Sequence, residues 1–533
     1  MAAVLADRTS PTVPSSSSNA VEARKSMPDS VVQEGLVYLQ ANLPLFTSRY
    51  HHRPPQETVS GLNADRGTIV VSVNQPLPGV RPVGRAPLES DASGALLILF
   101  VLTLLTPVAF EMVGTRLSPN RLFLLASIVP FAIRIVSGQI GRFTLVDLFF
   151  LLHGVWIFVA LIAVEGVSRI PFAGITAVEL VGGYFVGRAL VTNAAGYRRL
   201  FTIVLVALIC LLPFAVYESF TGKMLIPDLL RPVFETPYRG RSAYGRMGLE
   251  RVYGVFSHPI LWGLFCALTL ANFVALARGN VGKIVFAMIF TLYTTFLSLS
   301  AAPLIAYGLQ VGLLTWGWIM GGKWKILLIG SAVGYVLIDL LSDRTPVTIL
   351  IETLTFNPAT GYTRIAIFDA GWAAVKGSPL FGIGFNDWSR PHWLTSSVDN
   401  FWLLTAMRYG MVGVGFFILA VLAHFWLLAR ARIIDPDTAA IRVGHAIALA
   451  GVSFTLGTVH IWDTVSVFVM FYIGAGAWMY AFEPTGIAAQ DGDQAASELQ
   501  MQNRYTRFPP QSEPRTTYLG TKRHGRMSTG ESR

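Results

Sequence analysis

The sequence predicts an all-α polytopic membrane protein of about twelve transmembrane helices, with its largest outward-facing loop between spans 9 and 10. Three observations carry this expectation. The 533 residues are 53% hydrophobic and 14% charged, whereas charged residues make up about a quarter of a typical soluble domain. Mean hydropathy is +0.53, and apolar windows of about 20 residues, enough to cross a bilayer as helix, recur along the chain. Basic residues at 198–199, 278–283, 323–325 and 430–442 all fall on one side of such a topology, the side that the positive-inside rule makes cytoplasmic. A soluble globular fold is excluded on composition.

The predicted spans cover 95–113, 121–136, 145–164, 171–191, 200–217, 260–277, 283–299, 302–319, 325–341, 401–428, 442–460 and 463–481. Residues 1–93 carry "PTVPSSSSNA" and no leading apolar run. They read as a largely disordered cytoplasmic extension without a signal peptide, in which "TIVVSV" could form a short strand. The membrane domain is placed at 94–482. Residues 483–533 read as a disordered tail, basic at its end through Lys522, Arg523, Arg526 and Arg533. With both termini in the cytoplasm, Arg198, Arg199, Arg278, Lys283, Lys323, Lys325, Arg430, Arg432 and Arg442 all fall inside. Cys210 and Cys266 sit in separate spans and read as packing residues rather than a disulfide or zinc framework.

Two outward loops, 218–257 and 342–398, are long where other connections are short, and long loops on a rigid scaffold tend to carry function. The first holds Lys223, Arg231, Arg239, Arg241, Arg246 and Arg251 against Glu218, Asp228, Glu235 and Glu250. This arginine excess stands on the face that should be poor in it, and the guanidinium fork matches phosphate oxygens. An anionic substrate accounts for it, and so does a solvated loop. In the second loop, Thr363 is a candidate N-cap for a helix with Ile365, Phe368, Trp372 and Val375 on one face, stopped by Gly377 and Pro379. That helix is expected over the outer mouth of the bundle, with Arg364 in its first turn. Gly382 and Gly384 in "SPLFGIGFND" give a turn of close backbone approach.

The tenth span opens on "SSVDNFWLLTAMRYGMVGVGFF". Asp399 reads as its helix cap. Arg408 lies about 13 Å deeper, near the opposite face, with Glu179 in span 4 as a candidate partner. Gly410 and Gly413 suggest close helix packing. His153, His424, His445 and His460 are scattered over different spans and read as interhelical hydrogen-bonding groups.

The order of "RVYGVFSHP" at 251–259, Arg364 with "SPLFGIGFN" up to 386, and then Asn400, nine residues, Gly410 and Gly413 resembles the O-antigen ligase and Wzy-type polymerase superfamily of bacterial membrane glycosyltransferases. The likeness spans roughly 95–480. It implies a large periplasmic loop before span 10, an inner-membrane location, and transfer of glycan from undecaprenyl pyrophosphate to a sugar hydroxyl. By motif, Arg251 and Arg364 would hold the lipid pyrophosphate. Ligases of the family carry a histidine where this chain has Asp399, a departure that favours a polymerase of exopolysaccharide or O-antigen over a ligase acting on lipid A-core. A secondary transporter or flippase is the rival from another class.

Such a reaction must neutralise charge on the leaving pyrophosphate and position and deprotonate the acceptor. Arginines can do the first, and the two Asp-x-Asp pairs, at 435–437 and 491–493, fall on the side read as cytoplasmic, so metal-independent transfer without a cofactor is expected. The candidate bases are Asp399, then His258 and His392. His258 also reads as the cap before Pro259. Expected partners are the lipid-linked oligosaccharide, the acceptor glycan, the bilayer, and chain-length and export proteins, with no nucleic acid.

Overall fold

The computed structural model describes residues 91–112, 115–236, 245–342 and 358–482. Helices dominate: α1 (Asp91–Leu105), α2 (Pro119–Val136), α3 (Leu145–Glu165), α4 (Ile170–Leu190), α5 (Ala194–Thr221), the short α6 (Leu225–Leu230), α7 (Pro259–Leu276), α8 (Val281–Phe296), α9 (Ala301–Ile319), α10 (Trp324–Leu341), α11 (Pro358–Gly377), α12 (Phe401–Arg430), α13 (Pro436–Thr455), α14 (Asp463–Ala475) and α15 (Trp478–Ala481). Among the described residues, ten helical segments are long and apolar enough to cross a membrane, and two shorter apolar helices occupy Ser93–Leu105 and Val281–Phe296. The chain is thus a multi-pass membrane protein by length and composition. The predicted 1–90 extension with "TIVVSV" and the 483–533 tail lie outside the described residues.

Every predicted span overlaps a helix, the last one both α14 and α15, and the largest shift is at the first. Helix α1 stops at Leu105 instead of 113, because Pro107 lacks an N–H and disfavours helix at Thr106 before it. A two-stranded antiparallel hairpin, β1 (Phe110–Met112) with β2 (Thr115–Leu117), follows. Helix α10 buries none of its residues inside the protein, so its Leu328, Ile329, Leu340 and Leu341 side chains are solvated by whatever surrounds the bundle. A helix apolar all round yet outward-facing belongs in hydrocarbon.

The core is built on α4 against α14. Gly183 and Gly187, four apart on α4, leave room for the Val467 and Phe471 carbonyls, and Gly474 does the same for Tyr184. Small residues at this spacing let helix backbones touch. At one end of the bundle, Asp147 and Arg188 form a fully buried ion pair at 3.4 Å. The Tyr184 hydroxyl donates to Asp147 at 2.6 Å, and Asp147 closes a capping box with Thr144.

Several sequence expectations are corrected here. Helix α11 begins at Pro358, so Thr363 is interior and Arg364 falls in the second turn, past the free N–H groups of the helix start. Its buried face is Ile367, Gly371 and Val375, because Gly371 lets α11 approach Leu403 and Met407 closely. Phe368 and Trp372 instead stack on each other at 6.4 Å on the exposed side. Glu218 belongs to the end of α5 and is buried, not loop-borne. Cys266 is buried as expected, but Cys210 is exposed on the outside of α5, where an apolar thiol meets its surroundings rather than a helix partner.

Candidate functional site

The segment 250–258 is a tightly held turn. Buried Glu218 accepts hydrogen bonds from the Tyr253 and Gly254 N–H groups, at 2.9 and 3.0 Å. Gly254 has φ +60°, and any Cβ there would overlap Trp262. Arg251 reaches across to the α8–α9 junction, donating from Nε to the Ser298 carbonyl (3.2 Å) and from a terminal nitrogen to Ser300 Oγ (2.6 Å). Arg246 donates to the next carbonyl, Leu299, at 2.9 Å. Burial first, and the neighbouring Arg246 guanidinium second, lower Arg251 to about 10. It therefore stays protonated near neutral pH, and two adjacent guanidiniums make a concentrated positive site.

His258 caps α7, its Nδ1 accepting from the Ile260 N–H at 3.2 Å. Burial, then the Arg251 charge, push it down to about 4. It is neutral near pH 7. Because Nδ1 accepts, the proton sits on Nε2, so His258 can donate a hydrogen bond but is not set to take a proton. That revises its candidacy as the base.

The four predicted glycines meet at one feature. Helix α12 is interrupted at Gly410, with φ 71° and ψ 176°. The 378–384 turn docks into the break. Ile383 N–H donates to the Met407 carbonyl (2.7 Å), Gly384 N–H to Arg408 (3.1 Å), and Met411 N–H to Pro379 (2.8 Å). Trp156 Nε1 donates to the Tyr409 carbonyl at 2.9 Å. The backbone groups freed by the break are thus satisfied by protein, as a low-dielectric setting demands. Gly382 and Gly384 both have positive φ, and a Cβ at Gly382 would overlap the Met407 carbonyl. Gly413 packs on Trp156 and its carbonyl meets His153 Nδ1 at 2.9 Å. Gly410 thus breaks a helix rather than only packing one.

Arg408 does not pair with Glu179. Its guanidinium lies over the Phe385 ring, 4.2 Å from the centroid. Glu179 instead forms a two-pronged pair with Arg121, at 2.6 and 3.1 Å. This pair lines a cavity of about 400 Å³ that also takes in Asn120, Ser257, Trp462 and Asp463. The Trp462 indole donates to Ser257 Oγ (2.9 Å), which donates to Asp463 (2.7 Å). Trp462 also contacts the His258 ring at 5.6 Å, so the cavity abuts the Arg251 turn. Nothing in the sequence spacing marked Asn120, Arg121 or Asp463.

The remaining predicted residues lie elsewhere. Asn400, not Asp399, caps α12, accepting from the Leu403 N–H at 3.0 Å; it is the residue directly before the first helical turn, whereas Asp399 is one step too far out. Asp399 and His392 are exposed. Arg364 stands on α11, with Nε buried and lacking a hydrogen-bond partner among the described residues. His424 and His445, on different helices, hydrogen-bond between them as expected: their Nε2 atoms meet at 2.9 Å, flanked by Tyr480 and Tyr197 hydroxyls. His460, in the α13–α14 connection, is lowered to about 3 by burial and then by Arg408. No cluster of three metal-ligating side chains forms among the described residues.

No protein-family model matches the chain, and no curated protein matches it. The functional reading rests on these residues and on the resemblance in motif order and topology.

Proposed function

We propose that the protein is a polymerase of a bacterial surface polysaccharide, exopolysaccharide or O-antigen, moving glycan from undecaprenyl pyrophosphate to a sugar hydroxyl at the periplasmic face of the inner membrane. The observation that carries this reading is the Arg246–Arg251 pair, held side by side on the 298–300 turn. Charge that builds on a departing pyrophosphate is stabilised by donors already in place. In this reading the ten long and two short apolar helices make twelve spans, both termini are cytoplasmic, and 218–257 and 342–398 face the periplasm.

Arg364 is the second pyrophosphate ligand by motif, and its buried, unsatisfied Nε leaves a donor for an oxygen ligand. Asp399 and His392 remain the candidate bases, exposed at the head of α12 and in the preceding loop, with His258 Nε2 as a hydrogen-bond donor. Asn400 and the glycines at 382, 384, 410 and 413 support the frame around them. The arginines can stabilise the leaving group without a metal ion. The bilayer, the lipid-linked oligosaccharide, the acceptor glycan, and chain-length and export proteins are the partners of such an enzyme.

One observation favours a second reading. The interrupted α12, with Arg408 beside the break, is a device that transporters use at their substrate sites. Ligation to lipid A-core is the alternative within the family. Deleting the gene and profiling both surface glycan and lipid-linked intermediates separates the three. A polymerase predicts loss of long chains and accumulation of single repeat units on the carrier. Long chains retained on the carrier identify a ligase, and repeat units trapped at the cytoplasmic face identify a flippase.

A further inference from the structure

The cavity between α2, α4 and the head of α14 carries chemistry that the pyrophosphate site does not use. We infer that this cavity binds an uncharged sugar ring, the acceptor end of the growing glycan. The inference rests on the polymerase reading for the word acceptor, while sugar binding itself stands on the cavity.

At about 400 Å³ the space lies in the range of small-ligand pockets. Its charges argue against an anion. Arg121 and Glu179 neutralise each other through two hydrogen bonds, which leaves Asp463 as a net negative group at the mouth, close enough to act on both members of that pair. A phosphate would be repelled there.

Its hydrogen-bonding groups suit a ligand with both donors and acceptors. Asn120 is 1% exposed. Its amide oxygen accepts from Ser118, and the residue lines the cavity. Its amide nitrogen is a donor that a ligand hydroxyl oxygen can take up. Asp463 has one carboxylate oxygen engaged by Ser257, and the other can accept from a hydroxyl. Asp463 also sits at φ +51°, a left-handed conformation that costs a non-glycine residue and is found most often at binding and catalytic sites. The Trp462 indole, its N–H already spent on Ser257, presents an apolar wall. A sugar ring offers what these groups lack: several hydroxyls at its edge and C–H groups on its faces.

The test uses the full-length protein in lipid nanodiscs and phosphate-free oligosaccharides released from the host's own surface polysaccharide by partial acid hydrolysis, with saturation-transfer NMR as the readout. Wild type should saturate the terminal sugar. Asp463→Asn and Asn120→Leu should each weaken binding about tenfold or more, and Gly415→Ala, with nothing near its Cβ position, should leave it unchanged. Thr106→Trp, at an exposed position on the rim, narrows the mouth without touching the buried groups and should also abolish binding. No saturation in wild type, or wild-type saturation in both Asp463→Asn and Thr106→Trp, overturns the inference. If the cavity variants lose binding while an Arg251→Ala strain still makes long chains, the sugar site stands and the polymerase reading falls.

Discussion

Arg251→Ala is expected to lower chain extension by about 10²–10³-fold, the usual loss when one preorganised donor to developing negative charge is removed. The guanidinium makes two bonds of fixed direction, to Ser298 O and Ser300 Oγ, so Arg251→Lys keeps the charge but loses the fork and should recover only part of the activity. Because Arg251 also ties its turn to the α8–α9 junction, the loss could be confused with misfolding. Ser300→Ala removes one of the two anchors and leaves the charge; it should lower the melting temperature by less than Arg251→Ala does, and its effect on rate should be far smaller. Equal rate losses in the two variants would make Arg251 a structural brace. Extension assays on purified protein, run beside melting curves, give both readouts.

Gly410→Ala is the second large effect, and it needs no assumption about activity. With φ 71° and ψ 176°, Gly410 occupies a region open almost only to glycine. A Cβ would overlap the Leu380 carbonyl, in the turn whose neighbours satisfy the freed groups at Met407, Arg408 and Met411. Backbone strain and displaced hydrogen bonds together should cost about 3 kcal/mol or more. Gly415→Ala, five residues on with nothing near its Cβ position, is the control, and should be neutral or slightly stabilising. A Gly410→Ala protein that melts with wild type would mean that α12 is continuous and the docked turn is wrong.

These two sites show what was legible beforehand. Helices α2 to α5, α7, α9, α10 and α12 to α14 were readable because about twenty apolar residues between polar turns admit few other structures in lipid. Gly382 and Gly384 announced a tight turn, since glycine is the residue for positive φ. What the turn was for could not be read: a break at Gly410 becomes possible only when residues 379–384 supply its missing partners, and that is a tertiary fact. The cap at Asn400 was misassigned to Asp399 because both residue types cap helices, and spacing alone did not choose between neighbours. The face of α11 was misread for a related reason. A stripe of Phe368 and Trp372 looks like a buried face in water, whereas in a membrane protein aromatic rings can point outward and Gly371 can mark the contact.

The cavity residues were invisible to spacing. Asn120, Arg121, Glu179, Ser257 and Asp463 come from four separate stretches of chain, and each is ordinary alone. Glu179 did stand out as a carboxylate inside a span, but its partner proved to be Arg121, 58 residues earlier, and not Arg408. Pairing of intramembrane charges follows helix order in space, which α2 against α4 supplies.

The most direct measurement is chain growth by the purified protein in liposomes, supplied only with repeat units linked to undecaprenyl pyrophosphate. The account predicts a ladder of longer glycans on the carrier and release of one undecaprenyl pyrophosphate for each added unit, lost in Arg251→Ala. Carrier that crosses the bilayer without any ladder would contradict it.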